Sequence, residues 1–320
     1  MSVDLKDTLV IGISSRALFD LEKENDIFNS QGVAIYQKYQ VDHEDSPLEK
    51  GTAFHLIESL LKLNSPGKEK NLIEVVIMSK NSPDIGLRIL NSINYYNLPI
   101  TRSAFTSGVS LSKYVDAFKV DLFLSKTESD IQDVIDSGKC AAALIYKAPE
   151  DYKPDEQTVR IAFDADAVIF SDDSEQIYKQ DGLEKFKENE TKNVNVPLEE
   201  GPFGKFIRLL SKVQQGLERN LMRIAIVTAR EYPANVRVIK TLRSWGVNVD
   251  EAFFLGNLPK DKILKAFNAH IFFDDQDSNV LPASSIVPSS RVPYRKDSPL
   301  FISTELKSEK KEKSRRGFEN

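Results

Sequence analysis

Pro47-Leu48-Glu49-Lys50-Gly51 returns 150 residues later as Pro197-Leu198-Glu199-Glu200-Gly201, and it does not return alone. At the same offset Ile27 matches Ile177 and Gly32 matches Gly182. After a one-residue slip the echo continues at 149: Phe54 with Phe203, Leu60-Leu61 with Leu209-Leu210, Asn71-Leu72 with Asn220-Leu221, Arg88 with Arg237, Phe105 with Phe254, and Ala117-Phe118 with Ala266-Phe267. Identities that keep their order over such a length imply a tandem duplication, with units near 8–150 and 158–290.

Each unit reads as alternating strands and helices. Short apolar runs at Leu9 to Ile13, Val75 to Met78 and Leu122 to Leu124, and at Ile161 to Phe163, Ile224 to Val227 and Ile271 to Phe273, have the look of buried parallel strands. Between them Asp84 to Tyr96 and Pro233 to Trp245 carry apolar residues at three- and four-residue spacing, so they read as helices. The expected fold class is therefore α/β, two copies of a doubly wound parallel-sheet unit. The expected division is 1–150, 151–298 and a charged tail over 299–320, whose Lys307 to Arg316 run has nothing to bury.

Composition narrows the function. The 320 residues carry 43 Lys+Arg against 48 Asp+Glu, a net charge of −5, so no global positive field favours a nucleic acid polymer. The single cysteine, Cys140, and three scattered histidines, His43, His55 and His270, argue against a cysteine/histidine zinc site. No apolar run is long enough to cross a bilayer, which predicts a cytoplasmic protein with no membrane partner. A homo-oligomer is left open.

In an open α/β sheet the ligand sits beyond the carboxyl ends of the strands. In the second unit those ends carry Asp164-Ala-Asp166-Ala-Val168, Thr228 and Asp274-Asp275, with Lys260 fourteen residues before Asp274. Several carboxylates converging on one cleft repel unless a cation neutralises them, and all-oxygen ligands select a hard ion such as Mg²⁺. Lys260 and Thr228 offer a bound phosphate a positive charge and a hydroxyl donor, with Lys262 as the rival lysine because it aligns with Lys113 in the repeat.

A strand followed by DxDx(T/V), a strand ending in Ser/Thr, a lysine and a strand ending in paired acids resembles the haloacid dehalogenase superfamily of phosphotransferases. Over nearly the whole chain, Tyr39-Gln-Val-Asp-His-Glu-Asp45, Met78-Ser-Lys-Asn-Ser-Pro-Asp84, Phe163-Asp-Ala-Asp-Ala-Val168, Thr241-Leu-Arg-Ser-Trp-Gly246 and Phe272-Phe-Asp-Asp-Gln276 look like the type-I cytosolic 5′-nucleotidases. The resemblance implies a HAD-like, Rossmannoid fold and Mg²⁺-dependent hydrolysis of nucleoside 5′-monophosphates, AMP-type substrates, through an aspartyl-phosphate. It implies Asp164 as nucleophile and Asp166 as acid/base. Thr228 and Lys260 would hold the phosphoryl oxygens, and Asp164, the Asp166 carbonyl and one of Asp274 and Asp275 the metal, Asp274 being favoured. Where the superfamily inserts its cap, a small helical cover is expected near 171–219, with Phe203 and Phe206 as candidates to pack a nucleobase. A phosphatase for sugar phosphates and a nucleotide-sensing module are the competing readings.

Projected through the repeat, the catalytic positions fall on Ser14, Arg16, Ser79, Leu111 and Ser125-Lys126, so the first unit has lost every acid and is expected to be non-catalytic. Ser14, Ser15, Arg16, Ser79 and Lys80 suit an anion without a metal, as an effector-nucleotide pocket or part of the substrate site, unless this unit is purely structural. The family's nucleotide activation favours an effector.

Overall fold

The computed structural model describes residues 5, 7–65, 70–218, 220–256 and 258–304. Its strands are β1 (Leu9–Ile13), β2 (Phe19–Asp20), β3 (Glu49–Lys50), β4 (Ile73–Ser79), β5 (Arg102–Phe105), β6 (Leu122–Ser125), β7 (Ala141–Ile145), β8 (Val159–Phe163), β9 (Met222–Thr228), β10 (Glu251–Phe254), β11 (Ile271–Asp274) and β12 (Ser289–Arg291). Ten of them form one sheet in the order β10-β9-β8-β11-β12-β7-β6-β1-β4-β5. Read outward from the middle, the two halves repeat the same order, and every pairing is parallel except β12 with β7. The carboxyl ends of β1, β4 and β6 therefore point to the opposite edge of the sheet from those of β8, β9 and β11.

The strand cores are continuous apolar runs because both faces are covered by helices. β1 is buried at all five positions and β11 at all four. The helix Phe54–Leu61 buries Phe54, Leu56, Ile57, Leu60 and Leu61 and touches β8 of the other half as well as β4. Its counterpart Gly204–Gln215 does the reverse, touching β1 as well as β9. Phe203, Phe206 and Ile207 at its amino end belong to the same apolar core as β1 and β8.

The repeated Pro-Leu-Glu-x-Gly segment has a structural cause. Glu49–Lys50 pairs antiparallel with Phe19–Asp20, and Glu200 bridges Phe170 in the same way, closing a small ribbon at the base of a helical cover in each half. A Cβ on Gly201 would stand 2.1 Å from the Phe170 carbonyl oxygen, and one on Gly51 2.7 Å from the Phe19 carbonyl carbon. The leucines behind the glycines are buried, and their N–H groups donate to Ser92 Oγ and Thr241 Oγ1 respectively.

The cover itself is the chain between the ribbon strands. In the second half it is the helix Asp173–Lys192, bent at Gly182, where φ is +85°. Gly204–Gln215, included in the expected cap, lies instead on the sheet, because its buried apolar stripe has strands to pack against. At the carboxyl end, residues 299–304 are helical and Leu300 is buried, so the first residues of the expected tail are ordered onto the fold. Residues 305–320 of that tail lie outside the described residues. Among the described residues no helix is long and apolar enough to cross a membrane.

Candidate active site

β8, β9 and β11 lie side by side in the sheet, so the groups at their ends converge. Asp164 follows β8 directly, and its backbone N–H donates to the Phe273 carbonyl at 2.7 Å, fixing its start against β11. Asp274 ends β11 and is fully buried. Lys260, also buried, reaches between them: Nζ lies 2.9 Å from Asp164 Oδ1 and 2.7 Å from Asp274 Oδ2. Burial disfavours its charge, yet the two carboxylates hold the ammonium above its ordinary range. Lys262 is exposed on the following helix, so Lys260 is the lysine of the site.

Asp164, Asp274 and Asp275 each bring one carboxylate oxygen within 4.8 Å of the others, and all three are buried. Burial is the largest influence on Asp164, whose carboxyl is pushed up to about 7, with Lys260 pulling it down and Asp274 and Asp166 pushing it further up. Asp275 is raised well above the carboxylate range by burial and then by Glu175, Asp274 and Asp164. One lysine does not compensate this density of buried negative charge.

The three acids differ in what they have free. Asp274 is saturated: besides Lys260 it accepts from the Gln276 N–H at 2.9 Å and from Asn279 Nδ2 at 3.1 and 3.2 Å. Asp275 accepts from the Tyr294 hydroxyl on one oxygen, while its Oδ1 is buried without a hydrogen bond. Asp164 Oδ1 meets the Lys260 ammonium at 2.9 Å. A buried carboxylate oxygen without a partner, as Asp275 Oδ1 is, is costly and suits a hard cation, which all-oxygen donor sets prefer.

Thr228 closes β9 with its hydroxyl buried, and Oγ1 accepts from the Arg230 N–H at 3.2 Å. Asp166 stands just before a reversal in which Ala167 takes φ +57°, and its carboxylate faces Arg230 rather than Lys260. Arg230, Glu190, Glu175 and Tyr294 are site residues that sequence reasoning missed. Only the spacing of Arg230, two residues after Thr228, offered a signal.

Other expectations fall elsewhere. Phe203 and Phe206 are 0% and 2% exposed, with ring centroids 6.2 Å from Phe163, so they are core and offer no face to a base. Ser14, Arg16, Ser79 and Lys80 line a cavity of about 640 Å³ at the carboxyl ends of β1 and β4. Because β7 and β12 pair antiparallel, that cavity opens on the opposite edge from Asp164. These four residues therefore form no part of a substrate site around Asp164.

A family model described as 5′-nucleotidase matches residues 1–299. Cytosolic 5′-nucleotidase 1B of Homo sapiens is 36% identical over 282 residues, which is 84% of this chain and 46% of that protein. The chain thus spans about half the length of that relative.

Proposed function

The chain belongs to the 5′-nucleotidase family, and from that premise we propose that its second half hydrolyses nucleoside 5′-monophosphates, AMP among them, with Asp164 as nucleophile. The observation that carries this reading is the buried Asp164-Lys260-Asp274-Asp275 cluster at the converging strand ends. An Asp164 oxygen attacks phosphorus as the bond to the ribose 5′-oxygen breaks, and Asp166 gives that oxygen a proton. Water then attacks the aspartyl-phosphate, Asp166 takes the water's proton, and the bond between Asp164 and phosphorus breaks. Lys260 and Thr228 hold the phosphoryl oxygens, the lysine also easing the repulsion between Asp164 and the incoming dianion.

Mg²⁺ fits the donor set, with Asp164, Asp275 and the backbone carbonyl of Asp166 as its holders. The saturated Asp274 serves instead to fix Lys260, which revises the expectation that Asp274 makes the direct contact. When bound, the ion neutralises charge developing on the phosphoryl group.

The test is phosphate release from nucleoside 5′-monophosphates, 3′-monophosphates and sugar phosphates, with Mg²⁺ and with chelator, for wild type and Asp164→Asn. Metal-dependent release from 5′-monophosphates alone, lost in the variant, is the expected result. Release mainly from sugar phosphates would discard the substrate and keep the chemistry. Full activity in Asp164→Asn would discard the mechanism.

The first half is read as a metal-free site for an effector nucleotide. Its cavity sets Arg16 and Lys80 against apolar walls from Phe28 and Tyr36, and Arg16 Nε is buried without a hydrogen bond. Such a mixture suits an anionic group attached to a flat ring. With chelator present and Asp164→Asn in place, a nucleoside phosphate is expected to bind still, and adding Arg16→Ala should weaken that binding about tenfold or more. Binding that ignores Arg16 would remove the proposal.

A further inference from the structure

Arg230 stands between the covering helix and the loop of Asp166, and all three of its guanidinium nitrogens are used. Nε donates to Asp166 Oδ2 at 2.7 Å and Nη2 to Asp166 Oδ1 at 2.6 Å, a two-pronged grip on one carboxylate. Nη1 donates to Glu190 Oε2 at 2.5 Å. Glu190, fully buried on the helix Asp173–Lys192, takes Arg237 Nη1 at 3.0 Å and Ser174 Oγ at 2.9 Å on its other oxygen. The same guanidinium lies 5.3 Å from the ring centre of Phe186 on that helix. Arg230 itself is 3% exposed.

The first half serves as an internal control. Arg237 there becomes Arg88, and the bonds that anchor the cover survive: Arg88 Nη1 donates to Glu24 and Gln40, and Nε donates to the Ser46 carbonyl as Arg237 Nε donates to that of Val196. Arg230 becomes Asn81, which accepts a hydrogen bond from Tyr36, and Asp166 becomes Arg16, which turns to Glu22. Glu190 becomes Gln40, which still accepts from Arg88, so the first half fastens its cover with no arginine at the Arg230 position. Arg230 stands where the carboxylates of Asp166 and Glu190 both stand.

We infer that Arg230 is a positioning residue that aims the Asp166 carboxyl at the leaving oxygen, and that Glu190 holds Arg230 in that role from the covering helix. The inference rests on the phosphotransfer reading above. Planar two-point pairing fixes both the place and the plane of a carboxylate, which a single point charge does not. Both carboxylate oxygens are taken in this arrangement, so in the state that carries the proton destined for the leaving oxygen the protonated oxygen gives up its N–H bond and turns its O–H to that oxygen, while the other N–H bond and the tie to Glu190 keep the group in register. A shift of about 1 Å in such a group costs on the order of a hundredfold in rate.

The experiment compares two substrates that share a nucleoside: the ordinary 5′-monophosphate, and its analogue with sulfur as the bridging atom, which departs as a thiolate and needs no proton. Read as the single-turnover rate of nucleoside release, which reports the first step alone and not the hydrolysis of the aspartyl-phosphate that both substrates share, Arg230→Gln is expected to lose about a hundredfold or more on the oxygen substrate and less than about tenfold on the sulfur analogue. Arg230→Lys should recover part of the difference, and Glu190→Gln should show it in weaker form. Equal losses on the two substrates, or no loss, would overturn the inference. Should Arg230→Gln fail to fold, the ratio in Arg230→Lys decides. Asp166→Asn measured alongside separates the two levels: if that variant also affects both substrates equally, the acid role of Asp166 itself falls; if it discriminates and the Arg230 variants do not, only the positioning role does.

Discussion

His270 occupies in the second half the place that Asp121 holds in the first, and the two residues do one backbone task with different chemistry. The Val10 N–H donates to Asp121 Oδ2 at 3.1 Å, and the Arg160 N–H donates to His270 Nδ1 at 3.2 Å. Accepting at Nδ1 requires the neutral ring with its proton on Nε2, which lies 3.4 Å from Ser59 Oγ of the other half. Burial, opposed in part by Asp155, pushes the imidazole down to about 4. A histidine whose folded value lies below its unfolded one contributes stability that is complete above the unfolded value near 6.5 and disappears as pH falls through 4, because the unfolded chain takes up the proton first. At pH 5 the loss amounts to about 2 kcal/mol. Denaturant melts at pH 7 and pH 5 should show this loss in the wild type and a smaller one in His270→Gln. Equal losses would show that the ring is not the titrating group.

At the scale of the element, the close contacts of Gly201 and Gly216 predict opposite responses to the same added methyl. Gly201→Ala drives a Cβ into the Phe170 carbonyl and should cost about 2 to 3 kcal/mol, whereas Gly216→Ala, with φ −84° and its nearest neighbour at 3.4 Å, should fall within about 0.5 kcal/mol of the wild type. Thermal melts of the two variants check the pair. How far elements were legible follows from burial. Leu9 to Ile13 is read from sequence with its structural bounds, since an all-apolar run flanked by polar residues has one interpretation. β5 and β10, half-exposed at the sheet's outer edges, and β12, whose Ser289-Ser290-Arg291 contains no apolar residue, left no periodic signal. The acids of the site were legible because chemistry places them directly at strand ends. Arg230 and Glu190 were not, since their meeting depends on how the covering helix folds back over the sheet.

For the whole molecule, the ten-stranded sheet and the two helices that each lie across both halves leave no plane along which the chain divides cleanly. Calorimetry should accordingly record a single cooperative transition, with the van't Hoff and calorimetric enthalpies equal, and two resolved transitions would contradict that coupling. The antiparallel pairing of β7 with β12 has a further consequence. Two copies of one edge strand meeting antiparallel about a two-fold axis is the contact of a symmetric homodimer, in which both subunits must carry whatever residue their one gene prescribes. Joined in one chain, that contact keeps its geometry and loses the constraint: a carboxylate can be exchanged for an arginine in one pocket while its twin is left untouched. The molecule is thus a dimer freed to specialise, with two mouths on opposite rims whose chemistries can diverge independently.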